Sequence, residues 1–331
     1  MLTKQKLPLP ALKRILKDYD LGKIKKIEPL ATSGNITFLI TSKTGKFVLR
    51  ICPNGTRWRS KEEILAELEL IDYLLKNSFP IPKSVIKRNG QRVINWQNHF
   101  GYLKEYNNGK TFLNPNLNQI QKIGELIGWF HNLTKNYKTQ YQRKHIWDPK
   151  ETKRWFDQDK NKILNSSFKN AKEFISKFGK EINSMSFSSK LPNGMIHEDL
   201  RKQHILWQNN QITSVLDFDR CYYGFLVLDL GQATRSWCFI NNWKKWSSKN
   251  LEAFLKGYNA ERKLKNIEKE YLFSAIKFAV LERALAFCLR YIEETKDKKD
   301  EKFAWHSIKD KGLLEKLNNQ EKEIKQIIKA A

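Results

Sequence analysis

The chain reads as an α+β protein, and three observations carry that reading. Strand-like runs rich in β-branched and aromatic residues, Thr37 to Ile40, Lys46 to Ile51 and Tyr102 to Tyr106, fall in the first third. Apolar residues then recur at helical spacing in two stretches, Ile64, Leu65, Leu68, Ile71, Leu74 and Leu75, and Ile120, Ile123, Leu126, Ile127, Phe130 and Leu133. Later, Ile205 to Trp207 and Ile212 to Leu216 flank the turn-forming Gln208-Asn209-Asn210, which predicts a small hairpin.

Each periodic stretch gives a helix one buried face, and Phe79-Pro80-Ile81-Pro82 stops the first of them. A length of 331 residues is enough for two domains and a substantial core. With 40% hydrophobic residues, 10 Trp and 19 Phe, a disordered chain is excluded. No stretch is apolar enough to span a bilayer, since even residues 275–289 contain Lys277, Glu282 and Arg283. The first residues, Met1 to Lys6, do not lead into a signal segment, so a cytoplasmic protein without a membrane partner is expected.

Cys52, Cys221, Cys238 and Cys288 lack metal-ligand spacing and are expected as buried, reduced thiols. The net charge of +26 invites a nucleic-acid partner. That charge is spread along the chain, and Trp243-Lys244-Lys245-Trp246 and Thr295 to Lys299 read as solvated surface, so no nucleic-acid partner is expected. No repeat of fixed period is visible.

The chemistry concentrates in Ile196-His197-Glu198-Asp199-Leu200-Arg201-Lys202-Gln203-His204, followed thirteen residues on by Asp217-Phe218-Asp219. Phosphoryl transfer from a triphosphate needs one carboxylate to orient the attacking hydroxyl and further groups to hold the charge-neutralising cation. Asp199 suits the first role, His204 and Asp217 the second. Asp217 ends an apolar strand, where a carboxylate is costly unless a cation or donors meet it. His197 reads as a brace for the loop, and Asp229 as a cap or brace at a helix start.

This pattern resembles the kinase catalytic loop H-x-D-x-x-x-x-N and its D-F-G carboxylate, in the form used by the aminoglycoside phosphotransferase and homoserine kinase superfamily. His204 stands where that superfamily usually has Asn, and Asp219 where D-F-G has Gly. The resemblance extends from about Leu21 to about Arg290. It implies a protein-kinase-like fold of two lobes, with residues 1–106 as a small nucleotide-binding lobe built on an antiparallel sheet and residues 107–331 as a larger, mostly helical lobe for catalysis and the acceptor.

The resemblance also assigns nucleotide-binding roles. Ser33, Gly34 and Asn35 lie where such kinases place a phosphate-facing loop. Arg50 occupies the position of the phosphate-pairing basic residue, usually Lys, and its planar fork suits that task. Glu67, counted back from Pro80-Ile81-Pro82, takes the place of the acid that pairs with it, with Glu63 as the fallback. Glu105 and Tyr106 resemble the hinge that meets adenine. The implied cofactors are ATP and Mg²⁺, with Mn²⁺ also possible because imidazole suits softer ions than Mg²⁺.

The implied activity is transfer of phosphate from ATP to the hydroxyl of a small metabolite. Ile15 to Gly22, Leu228-Asp229-Leu230, Ser236-Trp237-Cys238-Phe239 and Gly257-Tyr258 resemble stretches of the homoserine kinase branch. An antibiotic kinase is the alternative, since some aminoglycoside kinases carry His at the position of His204, and a non-catalytic ATP-binding regulator is a second. A carboxylate-bearing acceptor needs an Arg, and Arg201, Arg235, Arg283 and Arg290 lie in or after the catalytic region, with Glu198, Asp219 and Glu282 as nearby acids. The Lys-rich segment after Asn241 disfavours a polycationic ligand.

Overall fold

The computed structural model describes residues 7–30, 35–52, 60–141, 143 and 146–331. In chain order the elements are α1 (Leu9–Leu16), β1 (Ile24–Leu30), β2 (Ile36–Ser42), β3 (Lys46–Ile51), α2 (Lys61–Lys76), β4 (Ile94–Trp96), β5 (His99–Glu105), α3 (Leu117–Leu133), α4 (Pro149–Leu164) and α5 (Ala171–Asn183). There follow β6 (Asn193–Ile196), β7 (Ile205–Gln208), β8 (Gln211–Val215), β9 (Tyr222–Phe225), α6 (Leu226–Cys238), α7 (Ser248–Glu261), α8 (Asn266–Arg290), α9 (Lys298–Ile308), α10 (Leu313–Asn319) and α11 (Glu321–Ala330). They divide into two compact units. One is Met1–Thr111 with Tyr137–His145 and His204–Asp219; the other is Phe112–Asn136, Ile146–Gln203 and Arg220–Ala331.

In the first unit an antiparallel sheet runs in the order β1-β2-β3-β5-β4. Leu49, Ile51 and Leu103 point into a core that also takes Leu12 and Leu16 from α1. Arg50 lies across from Tyr102 and Ile51 from Gly101. A Cβ at position 101 would fall 2.0 Å from the Arg50 carbonyl oxygen, so only glycine lets β5 close on β3 there. Ser60 caps α2, accepting from the Glu63 N–H at 3.3 Å, and Ile64, Leu68, Ile71 and Leu74 form its buried face. The β7–β8 hairpin turns at Asn209 and Asn210, both left-handed, as a tight two-residue hairpin requires. It joins this unit through Val215 N–H to the Pro80 carbonyl at 2.7 Å and through the Lys110–Trp207 bridge.

The second unit is helical, with β6 and β9 paired antiparallel beside its loops. Every residue of α6 is buried, and α8 contributes a largely apolar flank. A Cβ on Gly231 would lie 2.4 Å from the Ala275 carbonyl oxygen, so this glycine sets how closely α6 approaches α8. These two helices supply Asp229 from α6 and Glu282 and Arg283 from α8 to the site described below. All four cysteines are buried thiols outside any disulfide, as their spacing led one to expect. Among the described residues no helix is long and apolar enough to cross a membrane.

Candidate active site

In the sheet unit the chemistry gathers around Arg50, which is only 5% exposed. Its guanidinium lies 2.7 Å from Asp217 Oδ1 and forms a second ion pair with Asp219. Burial alone would lower its pKa, but Asp217 and then Asp219 outweigh that and hold it well above its ordinary value. Asp217 follows β8 with φ +66°, a conformation that costs energy for any residue with a side chain. Its other oxygen, Oδ2, is 3.3 Å from His204 Nε2. The His204 carbonyl accepts from the Leu216 N–H at 2.8 Å, which ties the start of the hairpin to its end.

Glu67, expected opposite Arg50, accepts a hydrogen bond from Tyr102 Oη at 2.8 Å, while the ion pairs of Arg50 are with Asp217 and Asp219. Asp219, standing where the kinase pattern has glycine, is the second carboxylate within reach of the guanidinium. Glu63, the fallback, pairs with Arg143. The Asn35 amide lies against Arg50, its oxygen 2.9 Å from Nε when turned toward the donor. Ser33 and Gly34 lie outside the described residues. The backbone N–H groups of Glu105 and Tyr106 donate to Lys83 and Lys46 carbonyls, at 2.9 and 3.0 Å.

Lys104 is a residue that sequence reasoning missed. It shares a face of β5 with Tyr102, and burial followed by the nearby Arg50 charge lowers its pKa, against the pull of Asp217, Glu67 and Asp219. The signal was the period-two alternation from Tyr102 to Lys104.

In the helical unit, the loop after β6 presents Asp199. Asp229, in the first turn of α6, organises that loop from below. It accepts from the backbone N–H of His197 at 3.0 Å and of Glu198 at 2.8 Å, and it pairs with His131 Nε2 at 3.0 Å. Tyr258 Oη lies 2.9 Å from the other His131 nitrogen. Burial alone would raise the Asp229 pKa, but the His131 hydrogen bond and the charges of His131 and His197 hold it below its ordinary value. Glu198 takes φ +65°, and His197 Nδ1 accepts from the Asp199 N–H at 3.3 Å, a brace of the kind expected of it.

Two arginines hold Asp199: Arg283 Nη2 at 2.7 Å from Oδ1, and Arg201 with Nε 2.8 Å from Oδ1 and Nη2 2.8 Å from Oδ2. Behind them lies a buried network. Arg220 Nη2 donates to Glu198 Oε1 at 2.9 Å and to Glu282 Oε1 at 2.6 Å, and Gln232 Nε2 donates to the same two carboxylates at 3.1 and 2.8 Å. Burial pushes the Glu198 carboxyl up, to about 8, with Arg220 and Arg283 opposing and Glu282 assisting. Burial acts the same way on Glu282, but Arg220, Arg283 and Gln232 outweigh it and lower its pKa. The sequence showed these acids and arginines as a pool; it could not show which were already spoken for.

The fold is kinase-like, and the family match over most of the chain makes it a phosphotransferase. Residues 26–267 match the phosphotransferase enzyme family, and the chain belongs to that family. It is 24% identical over 255 residues to the homoserine kinase of Methylobacillus flagellatus, covering 75% of each chain. With the homoserine kinase of Pseudomonas aeruginosa it shares 23% identity over 272 residues, 81% of this chain and 82% of that one. Among solved structures it is similar to amicoumacin kinase, with TM-score 0.72, 17% identity and 93% of each chain covered. It is also similar to a microcompartment-associated aminopropanol kinase, with TM-score 0.68, 19% identity, and 96% and 99% covered.

Proposed function

We propose that this phosphotransferase moves the γ-phosphoryl group of ATP onto the hydroxyl of a small metabolite, in the manner of a homoserine kinase. The observation that carries the reading is Asp199, presented on a loop whose backbone is fixed by Asp229 and whose carboxylate is aligned by Arg201 and Arg283. In this reading the acceptor oxygen attacks the γ-phosphorus, the bond to the β–γ bridging oxygen breaks, and the hydroxyl proton passes to Asp199.

A divalent cation fits one part of the sheet unit. Asp217 offers carboxylate oxygens and His204 an imidazole, a mixed donor set that Mn²⁺ accepts more readily than Mg²⁺. When bound, the cation would neutralise charge on the triphosphate. Arg50 holds Asp217 and Asp219, so nucleotide entry exchanges part of a carboxylate–guanidinium contact for a phosphate–guanidinium one. Because the N–H groups of Glu105 and Tyr106 are engaged, adenine at this hinge must use other backbone groups.

The second reading, an antibiotic kinase, is favoured by the likeness to amicoumacin kinase. Release of ADP across a panel of homoserine, aminopropanol, choline and aminoglycosides tests both. Turnover restricted to an aminoglycoside would replace the first reading with the second, and no turnover with any acceptor would favour a non-catalytic regulator.

A further inference from the structure

The helical unit contains seven arginines, and six of them hold a carboxylate: Arg154 with Glu151, Arg201 and Arg283 with Asp199, Arg220 with Glu198 and Glu282, Arg262 with Glu268, and Arg290 with Asp300. Arg235 is the exception. It is 6% exposed, and among the described residues its one hydrogen bond is from Nε to the neutral Gln232 Oε1, at 3.4 Å. The guanidinium lies over the Trp243 ring, 5.0 Å from its centroid, a cation–π contact that offers it no counter-charge.

A guanidinium withdrawn from water and given no anion is costly. The cost registers in its pKa, which burial, then Arg283, pulls down to about 9, with Arg201 adding to the effect against Glu282 and Asp199. Its hydrogen bonds locate it: Gln232, which accepts from Arg235, donates through Nε2 to Glu198 Oε1 at 3.1 Å, and Glu198 directly precedes Asp199 in the loop. A planar fork that rests on an aromatic ring and lacks a carboxylate partner is suited to a planar oxyanion.

We infer that Arg235, backed by Trp243, is the anion-binding residue of the acceptor pocket, and that the acceptor is a small alcohol bearing a carboxylate. The inference rests on the phosphotransferase reading for the position of the acceptor hydroxyl. It separates the two small alcohols named by the chain's relatives, since homoserine carries a carboxylate and aminopropanol does not.

The test uses the full chain and three acceptors: L-homoserine, which has carboxylate and ammonium, 4-hydroxybutyrate, which has only the carboxylate, and 3-aminopropan-1-ol, which has only the ammonium. In the parent, kcat/KM for both carboxylate-bearing acceptors should exceed that for 3-aminopropan-1-ol by about tenfold or more. Arg235→Gln should lower the ratio of carboxylate-bearing to amine-only turnover by about tenfold or more, mainly through KM, and Arg235→Lys should restore part of it. A parent that prefers 3-aminopropan-1-ol, or a ratio unchanged in Arg235→Gln, overturns the inference, the more so if Tm falls and shows a structural role. If nothing is turned over, calorimetric titration of 4-hydroxybutyrate with a non-hydrolysable ATP analogue present decides. Binding lost in Arg235→Gln upholds the anion site while the kinase reading fails; absent or equal binding overturns the site as well.

Discussion

Asp229 accepts the backbone N–H of Glu198 at 2.8 Å, so a fully buried carboxylate holds a residue whose φ is +65°. A left-handed non-glycine residue persists only where its surroundings over-determine it, and this bond, with the one to His197, supplies that determination.

Asp229→Ala should therefore do two things. It leaves His131 and two N–H groups without their acceptor, at a cost of about 3–5 kcal/mol, which a denaturant titration would show as a lower midpoint. It should also depress phosphoryl transfer in whatever fraction still folds. The pH dependence has a definite sign. Because the folded-state pKa of Asp229 is depressed, its contribution is present above the ordinary carboxylate range and is lost as pH falls through the lower, folded value. Parent and variant should thus converge in stability only in acid; a constant difference down to the acid transition would contradict the assignment.

Asp199→Asn keeps the shape of the side chain and removes the proton acceptor. Transfer should fall by about 10² or more while ATP affinity stays near the parent's. Equal rates in variant and parent would take Asp199 out of the reaction.

Asp217→Ala should abolish metal-dependent nucleotide binding, read by calorimetry with ATP and a divalent cation. It also frees one face of Arg50, so metal-independent nucleotide binding should be kept or strengthened. Unchanged metal-dependent affinity would refute the assignment of Asp217.

His204→Asn replaces an imidazole by an amide oxygen, a donor that Mg²⁺ prefers. The ratio of Mn²⁺- to Mg²⁺-supported activity should be higher in the parent than in the variant. A ratio that does not move would mean that His204 stays clear of the cation.

The local elements were legible in the sequence where one physical signal decided them. β3 spans Lys46–Ile51 and the β7–β8 hairpin turns at Asn209-Asn210, because alternation and turn chemistry act over a few residues. The helical face of Ile64, Leu68, Ile71 and Leu74 was equally plain. Choice of partner was not. Arg50 meets Asp217 and Asp219, more than 160 residues away in sequence, and no periodicity encodes that. Glu198 and Glu282 looked like free acids for a ligand, yet Arg220, Gln232 and Arg283 already bind them. Lys104 escaped notice because its meaning depends on which side of β5 faces Arg50.

The buried, reduced cysteines give the chain a built-in clock for its own opening. Cys52 lies in the sheet unit, and Cys221, Cys238 and Cys288 in the helical one. Burial raises the pKa of Cys238 and Cys288 far above the ordinary thiol value, so a thiolate-seeking reagent must wait for the fold to part before it reacts. The alkylation rate at each site, read by mass spectrometry, thus reports how often that region exposes its interior. Ligand binding that tightens one unit should slow labelling there, which turns four unreactive sulfur atoms into a map of where binding energy is felt.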